Sequence, residues 1–294
     1  MLHEPVMTRE VLAFLQPEKG GVFVDCTVGM GGHARALLEA GATKVIGLDR
    51  DPAALRIAAE TLGKYRDRVE LVHSDYRSLA SVLEARGIDR VDGTLTDMGM
   101  SSYQLEADGR GFSFQREDPL DMRMDTTTGP TAADLLRAAD EPEIADAIYK
   151  FGEERFSRRI ARAIVQARES ASLETTTQLA AVVRRAVPRH GFSRIDPATR
   201  TFQALRIWVN RELEGIDQFL GTVAARLKTG ARLVAITFHS LEDRIVKHTL
   251  RALAPRDGGP LRILTKKPIT ARQDELDRNP RARSAKLRAA ECVG

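Results

Sequence analysis

Four short apolar runs in the first hundred residues, with helix-like stretches between them, constrain this chain more than any other feature. Val22-Phe23-Val24-Asp25-Cys26, Lys44-Val45-Ile46-Gly47-Leu48-Asp49, Val69-Glu70-Leu71-Val72-His73 and the run from Val91 to Asp97 read as buried strands. Helical stretches follow the first three, at His33 to Ala40, from Asp51-Pro52 to about Leu62, and near Leu79 to Ala85. Asp51-Pro52 combines an N-cap residue with proline at the first helical position. Strands alternating with helices of this length build a parallel sheet with right-handed crossovers, so the expected fold class is α/β. Hydrophobic residues at 43% and charged residues at 29% supply a core for such a sheet. No apolar run reaches the roughly 18 residues of a membrane span, and Met1-Leu2-His3-Glu4-Pro5 does not resemble a secretory signal. Two cysteines, Cys26 and Cys292, cannot form a disulfide framework or a thiolate zinc cluster, and they fit a reducing cytoplasm.

The strand rhythm stops after the fourth run. Residues 101–130 are rich in Gly, Ser, Asp and Arg, and the stretch from Ala132 to about Val187 is helical throughout. In it Phe156, Ile160, Ala163, Ile164 and Ala167 share one helical face, with Arg155, Arg158, Arg159 and Arg162 on the other. A long helix is expected from Asp196-Pro197 to Gly230, because Phe202, Leu205, Val209, Leu213, Ile216, Leu220, Val223 and Leu227 recur by threes and fours. A fifth strand, Arg232 to Phe238, then resumes the α/β order. The expected division is therefore a split α/β domain over 1–105 and 199–294, interrupted by an inserted all-helical domain over 106–198.

Charge is divided unevenly along the chain. Residues 1–100 hold 12 Lys+Arg against 15 Asp+Glu, and residues 241–294 hold 13 against 7. A polyanion would touch the later part of the chain, unless that basic surface is simply solvated.

The first strand leads into Asp25-Cys26-Thr27-Val28-Gly29-Met30-Gly31-Gly32-His33, a glycine turn opening a helix, and Asp49 ends the second strand. In open α/β sheets ligands sit at the carboxyl ends of the strands near this turn, and an acid there can accept from ribose hydroxyls. Two ligands satisfy the pattern. Gly29-x-Gly31-x-x-Ala34 fits a relaxed dinucleotide fingerprint, although no tyrosine is followed four residues later by lysine as in a common hydride-transfer arrangement. S-adenosylmethionine is the alternative; its enzymes expect an acid or amide ending the fourth strand, where Asp97 stands. Asp25, Asp49 and Asp97 could each be a helix cap or turn residue, but three acids at three strand ends are poorly explained that way. Gly63-Lys64 is followed by Tyr65, so there is no P-loop, and the six histidines show no metal-ligand spacing.

Eight segments in order resemble one enzyme group. They are Gly29-Met30-Gly31-Gly32-His33, Asp97-Met98-Gly99-Met100-Ser101-Ser102, Arg110-Gly111-Phe112-Ser113-Phe114, Pro119-Leu120-Asp121-Met122-Arg123-Met124, Gly152-Glu153-Glu154, Ala198 to Arg206, Phe238 to Arg244, and Asn279 to Ser284. Together they are similar to the RsmH (MraW) family of bacterial 16S ribosomal RNA cytidine N4-methyltransferases, from His3-x-Pro5-Val6 to Lys286-Leu287-Arg288. The resemblance implies a class I, Rossmann-like methyltransferase sheet with an inserted helical domain. It implies S-adenosylmethionine as donor and a cytidine in the decoding region of the small ribosomal subunit as acceptor. The donor residues it implies are Gly31, Gly32, His33, Asp49, Tyr76, Asp97 and Gln104, with no metal. Met98 and Met100 stand where the family usually has Leu and Val, and Tyr76 where it often has Phe; bulk and apolarity are kept. Partners are then 16S rRNA or the small subunit, with a homodimer left open and no membrane.

Methyl transfer to a cytosine amine requires an acceptor for a hydrogen bond from that amine and close alignment of the reacting atoms. Asp97 is the expected acceptor, Ser101 and Ser102 are expected to orient the base, and His239 is a second candidate for base contact or proton acceptance. Ser240 with Asp243 three residues on could instead cap a helix. Arg110, Arg123, Arg200 and Arg206 suit either phosphate or structural pairing with Asp118, Asp121 or Glu153. The Arg155–Arg162 face and Arg278, Arg281, Arg283, Lys286 and Arg288 are the better phosphate candidates. Aromatics make up only 5%, which favours a folded ribosomal surface over generic single-strand binding. A methyltransferase for another RNA or protein, a nicotinamide enzyme, and a non-catalytic ribosome-assembly factor are the competing functions.

Overall fold

The computed structural model describes residues 5–170, 172–188, 196–255 and 257–294, and only the backbone of Ser102; His3 lies outside the described residues. The helices are α1 (Thr8–Leu15), α2 (Gly32–Glu39), α3 (Pro52–Thr61), α4 (Leu79–Glu84), α5 (Ser102–Glu106), α6 (Ala132–Ala138), α7 (Glu141–Gly152), α8 (Ser157–Ser170), α9 (Thr176–Ala186), α10 (Ala198–Asn210), α11 (Ile216–Arg226), α12 (Ser240–Leu253) and α13 (Gln273–Arg278). The strands are β1 (Val22–Asp25), β2 (Lys44–Asp49), β3 (Val69–His73), β4 (Val91–Asp97), β5 (Leu227–Thr237), β6 (Leu261–Ile263), β7 (Ile269–Thr270) and β8 (Lys286–Cys292). They form two compact units, Met1–Gly99 with Gly215–Gly294, and Met100–Glu214.

The first unit is one sheet in the order β3-β2-β1-β4-β5-β8-β6, with β7 paired to β8. β1 to β5 run parallel, and the order reverses between β1 and β4, which is the switch point of a doubly wound sheet. β8 runs antiparallel to β5, β6 and β7, which the expected parallel sheet did not contain. The central strands are apolar on both faces because helices cover both, and Phe23, Val45, Leu95, Val234, Ile236 and Leu287 share a core with α1 and α2.

The second unit is helical, as its sequence periodicity requires. Ile144 and Ile148 of α7, Ile160 and Ile164 of α8, Leu179 and Val183 of α9, and Leu205 of α10 close one core. On α8, Ile160, Ala161 and Ile164 are buried, and Arg158, Arg159 and Arg162 are exposed, with Arg155 exposed just before the helix. Gly152 ends α7 where an added Cβ would lie 2.6 Å from the Arg200 carbonyl oxygen, so only glycine lets α7 and α10 approach this closely.

The single helix expected from Asp196 to Gly230 is corrected to two. Arg211 takes a left-handed conformation (φ 51°) that caps α10, and Gly215 (φ 71°) opens α11. Leu213 and Ile216 keep the apolar spacing across the break, so periodicity alone could not reveal it. α10 packs in the helical unit and α11 against α4 and α12 in the sheet unit. The helical unit therefore spans 100–214 and contains the expected 106–198 within it.

Candidate active site

Register places three acids together. Asp25 pairs with Gly47 of β2 and with Leu95 of β4. Side chains alternate faces along a strand, so Asp49 and Asp97, each two residues further, point to the same face as Asp25. Asp25 is fully buried because it ends the central strand, with β2 on one side and β4 on the other. Burial pushes its carboxyl up to about 7, against the opposing pull of His33 and of the Thr27 N–H.

The chain leaves β1 through a turn stitched to both neighbours. Cys26 N–H donates to the Leu95 carbonyl, Val28 N–H donates to the Leu48 carbonyl, and Asp97 N–H donates to Thr27 Oγ1 at 2.6 Å. Gly29 (φ 52°) and Gly31 (φ 85°) occupy left-handed conformations, and Gly31 is the N-cap of α2. The turn delivers His33, in the first turn of α2, to the acids: its Nε2 lies 3.6 Å from Asp97 Oδ2, and the ring is 5% exposed. Both ring nitrogens, Asp97 Oδ1 and Asp25 Oδ2 are buried without a hydrogen-bond partner. Buried polar atoms are almost always satisfied, so four such atoms at one sheet edge indicate a place prepared for a polar ligand.

Asp49 accepts from Gly29 N–H at 2.7 Å and from Asp51 N–H at 2.9 Å. Burial pushes its carboxyl up to about 6, partly offset by those two donors. Tyr76 follows β3 and lies against Phe219 of α11, ring centroids 4.6 Å apart; burial raises its hydroxyl well above the usual phenol range. Gly31, Gly32, His33, Asp49 and Asp97 thus cluster around the end of β1.

Ser101, Ser102 and Gln104 lie in the second unit. Ser101 caps α5: its hydroxyl accepts from Gln104 N–H, and Gln104 Oε1 accepts from Ser101 N–H at 3.0 Å. The side chain of Ser102 lies outside the described residues.

His239 follows β5, three residues after Ile236, the register partner of Asp97. The expected Ser240–Asp243 cap is displaced by one residue. His239 itself is the N-cap of α12, its Nδ1 accepting from Glu242 N–H at 3.4 Å, and Glu242 Oε2 accepts from Phe238 N–H at 2.9 Å. Nε2 of His239 lies 3.1 Å from Glu242 Oε1, off the line of a hydrogen bond. Imidazole is not a common cap, so the sequence pattern pointed to the serine beside it.

Several basic residues are committed to structure. Arg288 is buried in β8 with Nε 2.7 Å from Asp243 Oδ1, and Lys286 lies 3.8 Å from the same carboxylate, so Arg288 is not a phosphate contact. Arg123 forks onto Asp121 and Arg206 onto Glu212. Arg110 donates to the Arg123 and Met124 carbonyls, and Arg200 to that of Glu153. Arg155, Arg158 and Arg159 make no ion pair among the described residues, and Arg162 lies 3.5 Å from Glu141. Arg278 and Arg283 are exposed and Arg281 half-buried. Among the described residues no helix is long and apolar enough to cross a membrane.

The chain is similar to known proteins along its whole length. A ribosomal RNA small subunit methyltransferase H of Sorangium cellulosum is 51% identical over 292 residues, covering 99% of this chain and 91% of that protein. The protein of the same name from Thermotoga neapolitana is 49% identical over 296 residues, covering 99% and 96%. A solved rRNA methylase from Streptococcus thermophilus is a distant likeness at 11% identity, covering 100% of this chain and 99% of that one with a TM-score of 0.44. The model of the MraW methylase family matches residues 1–293, and the chain belongs to that family.

Proposed function

We propose that the protein transfers a methyl group from S-adenosylmethionine to the exocyclic N4 amine of a cytidine in the decoding region of 16S rRNA, acting on the small ribosomal subunit in the cytoplasm. The observation that carries this reading is near-complete alignment, at about half identity, with proteins named ribosomal RNA small subunit methyltransferase H. The unsatisfied buried atoms of His33 and Asp97 beside a left-handed glycine turn fit a polar donor ligand. Gly31, Gly32, His33, Asp49, Tyr76, Asp97 and Gln104 would hold it.

When bound, the donor supplies an electrophilic methyl group on a sulfonium. Asp49 has carboxylate lone pairs beyond those engaged by Gly29 and Asp51, and these suit ribose hydroxyls. The glycine turn lets the backbone approach closely. Asp97 Oδ1, buried and unpartnered, accepts a hydrogen bond from the target amine and then the proton that the amine sheds. His33 at Oδ2 orients that carboxylate. Ser101 and Ser102 orient the base. His239 contributes base contact in addition to capping α12. The exposed Arg155, Arg158 and Arg159 take phosphates of the folded RNA.

The test is nucleoside mass mapping after incubating unmethylated small subunits with labelled donor. N4-methylcytidine at one decoding-region position is expected. Label on protein, or on another nucleoside, would overturn the substrate assignment, and donor binding without transfer would favour an assembly factor. A homodimer is tested by sedimentation velocity, where a single species of monomer mass would exclude it.

A further inference from the structure

Asp25 has no place in the methyl-transfer scheme so far, yet it is the most buried acid at the site. Its Oδ1 accepts from Thr27 N–H at 3.2 Å, and its Oδ2 has no partner. It shares a sheet face with Asp97, the two brought there by neighbouring strands. His33 comes from α2, and the charge of Glu275 on α13, whose Oε1 accepts from Met7 N–H, also raises its proton affinity. The charged groups around Asp25 are His33, Asp97 and Asp49. Those around His33 are Asp97, Asp25 and Glu275. One ring capable of a positive charge is thus enclosed by carboxylates on three elements, with both ring nitrogens shielded from water.

We propose that Asp25 is a positioning residue that keeps the His33 imidazole charged and its Nε2–H turned towards Asp97. The inference rests on the reading of Asp97 as the group that receives the amine. A neutral ring has two tautomers and could present a bare Nε2 to Asp97 Oδ2, which would repel rather than hold the carboxylate. An imidazolium has a donor on both nitrogens and cannot be wrong in this way.

The electrostatics have the required sign. Burial alone pushes His33 down, but Asp97, Asp25 and Glu275 outweigh it, and the ring's proton affinity is raised. Burial pushes Asp25 up to about 7. Asp25 therefore acquires its charge in the range where a free imidazole, near 6.5, would lose its own. As pH rises through neutrality, the new negative charge on Asp25 holds the proton on His33. Because the two groups are coupled, the measured midpoints belong to the cluster.

The test reads His33 directly, by nitrogen-15 NMR of the full chain labelled at histidine, with His33→Gln assigning the signal. In the wild type the His33 midpoint is expected above that of a free imidazole. In D25N, which keeps the Oδ1 acceptor for Thr27, it should fall by about one pH unit, a typical effect of removing a nearby opposite charge. D25E, which returns the charge, should restore it. Single-turnover transfer at saturating donor should follow: the alkaline limb moves acidward in D25N, a loss of roughly tenfold at a pH on that limb for a one-unit displacement. A wild-type midpoint at or below that of free imidazole, equal midpoints in wild type and D25N, or D25E behaving as D25N would each overturn the inference. The NMR needs no RNA. Absence of transfer by the wild type with the predicted titration intact would refute the function and leave the His33–Asp25 coupling standing.

Discussion

Replacing Asp49 by asparagine should separate the ribose-binding carboxylate from a mere turn residue. The carboxylate accepts from two backbone donors, Gly29 N–H at 2.7 Å and Asp51 N–H at 2.9 Å. It has about four acceptor sites, so about two remain for a ligand. An asparagine has one oxygen; whichever donor loses it faces an amide NH2, and the ligand loses a charged acceptor. Hydrogen bonds to a charged group are worth about 1.5–3 kcal/mol. A loss of about 3 kcal/mol is thus expected in donor affinity, roughly a hundredfold. Calorimetric titration with S-adenosylhomocysteine between pH 5 and 8 measures it. The pH dependence is the sharper part. Because burial pushes the Asp49 carboxyl up to about 6, a proton competes with the ligand below that pH. Wild-type affinity should fall as pH drops through 6, by up to about tenfold per unit, and D49N should be weak and flat. D49N binding within about threefold of wild type, or one pH profile shared by both, would refute the ribose-binding role of Asp49.

Three other substitutions probe the scaffold and the RNA surface. Arg288→Ala strands Asp243, whose side chain is 13% exposed, and should cost about 3 kcal/mol in denaturant unfolding, while an unchanged midpoint would show that Lys286 alone suffices. Changing Arg155, Arg158 and Arg159 together to alanine should lower the salt slope of subunit binding by about 2–3, at roughly 0.7–0.9 per phosphate contact, with donor affinity unmoved; an unchanged slope would place the RNA elsewhere. Asp25→Asn should stabilise the fold at pH 8. The folded state keeps the Asp25 proton to about 7, whereas the unfolded chain releases it near the ordinary aspartate value of about 3.9, so stability is lost as pH rises between those values and stays lost above 7. The gain is at most about 4 kcal/mol, from roughly three pH units at 1.36 kcal/mol each, and thermal unfolding that shows no gain at pH 8 would contradict it.

Much of the sheet was legible because buried parallel strands are nearly continuous apolar runs. β2, β3 and β4 have the bounds their hydrophobicity predicts. β8 was not legible: Lys286-Leu287-Arg288-Ala289-Ala290-Glu291-Cys292 is broken by charges that are satisfied only by distant partners, Asp243 for Arg288 and Arg232 for Glu291. The same cause misassigned Arg288 to phosphate. At the site, the positions of Asp49 and Asp97 followed from strand ends, and the resemblance added His33. What sequence could not supply was phase and depth. Nothing in Val22-Phe23-Val24-Asp25 says that β2 and β4 flank it, and that flanking alone turns Asp25 from a turn acid into a buried one.

The split of the sheet around the helical unit also fixes an order of assembly during synthesis. β1 to β4 emerge as a block whose β4 edge has no neighbour until β5 appears at residue 227. The whole of 100–214 is made in between, as a core complete in itself. β8, which covers the far edge of β5, follows only at residue 286. At about 5–20 residues per second, the 130 residues from Asp97 to Leu227 take roughly 6–26 s to translate. For that interval β4 presents unpaired backbone and the apolar side chain of Leu95. The nascent chain is then most open to strand-edge aggregation, and a holding chaperone would have most to protect.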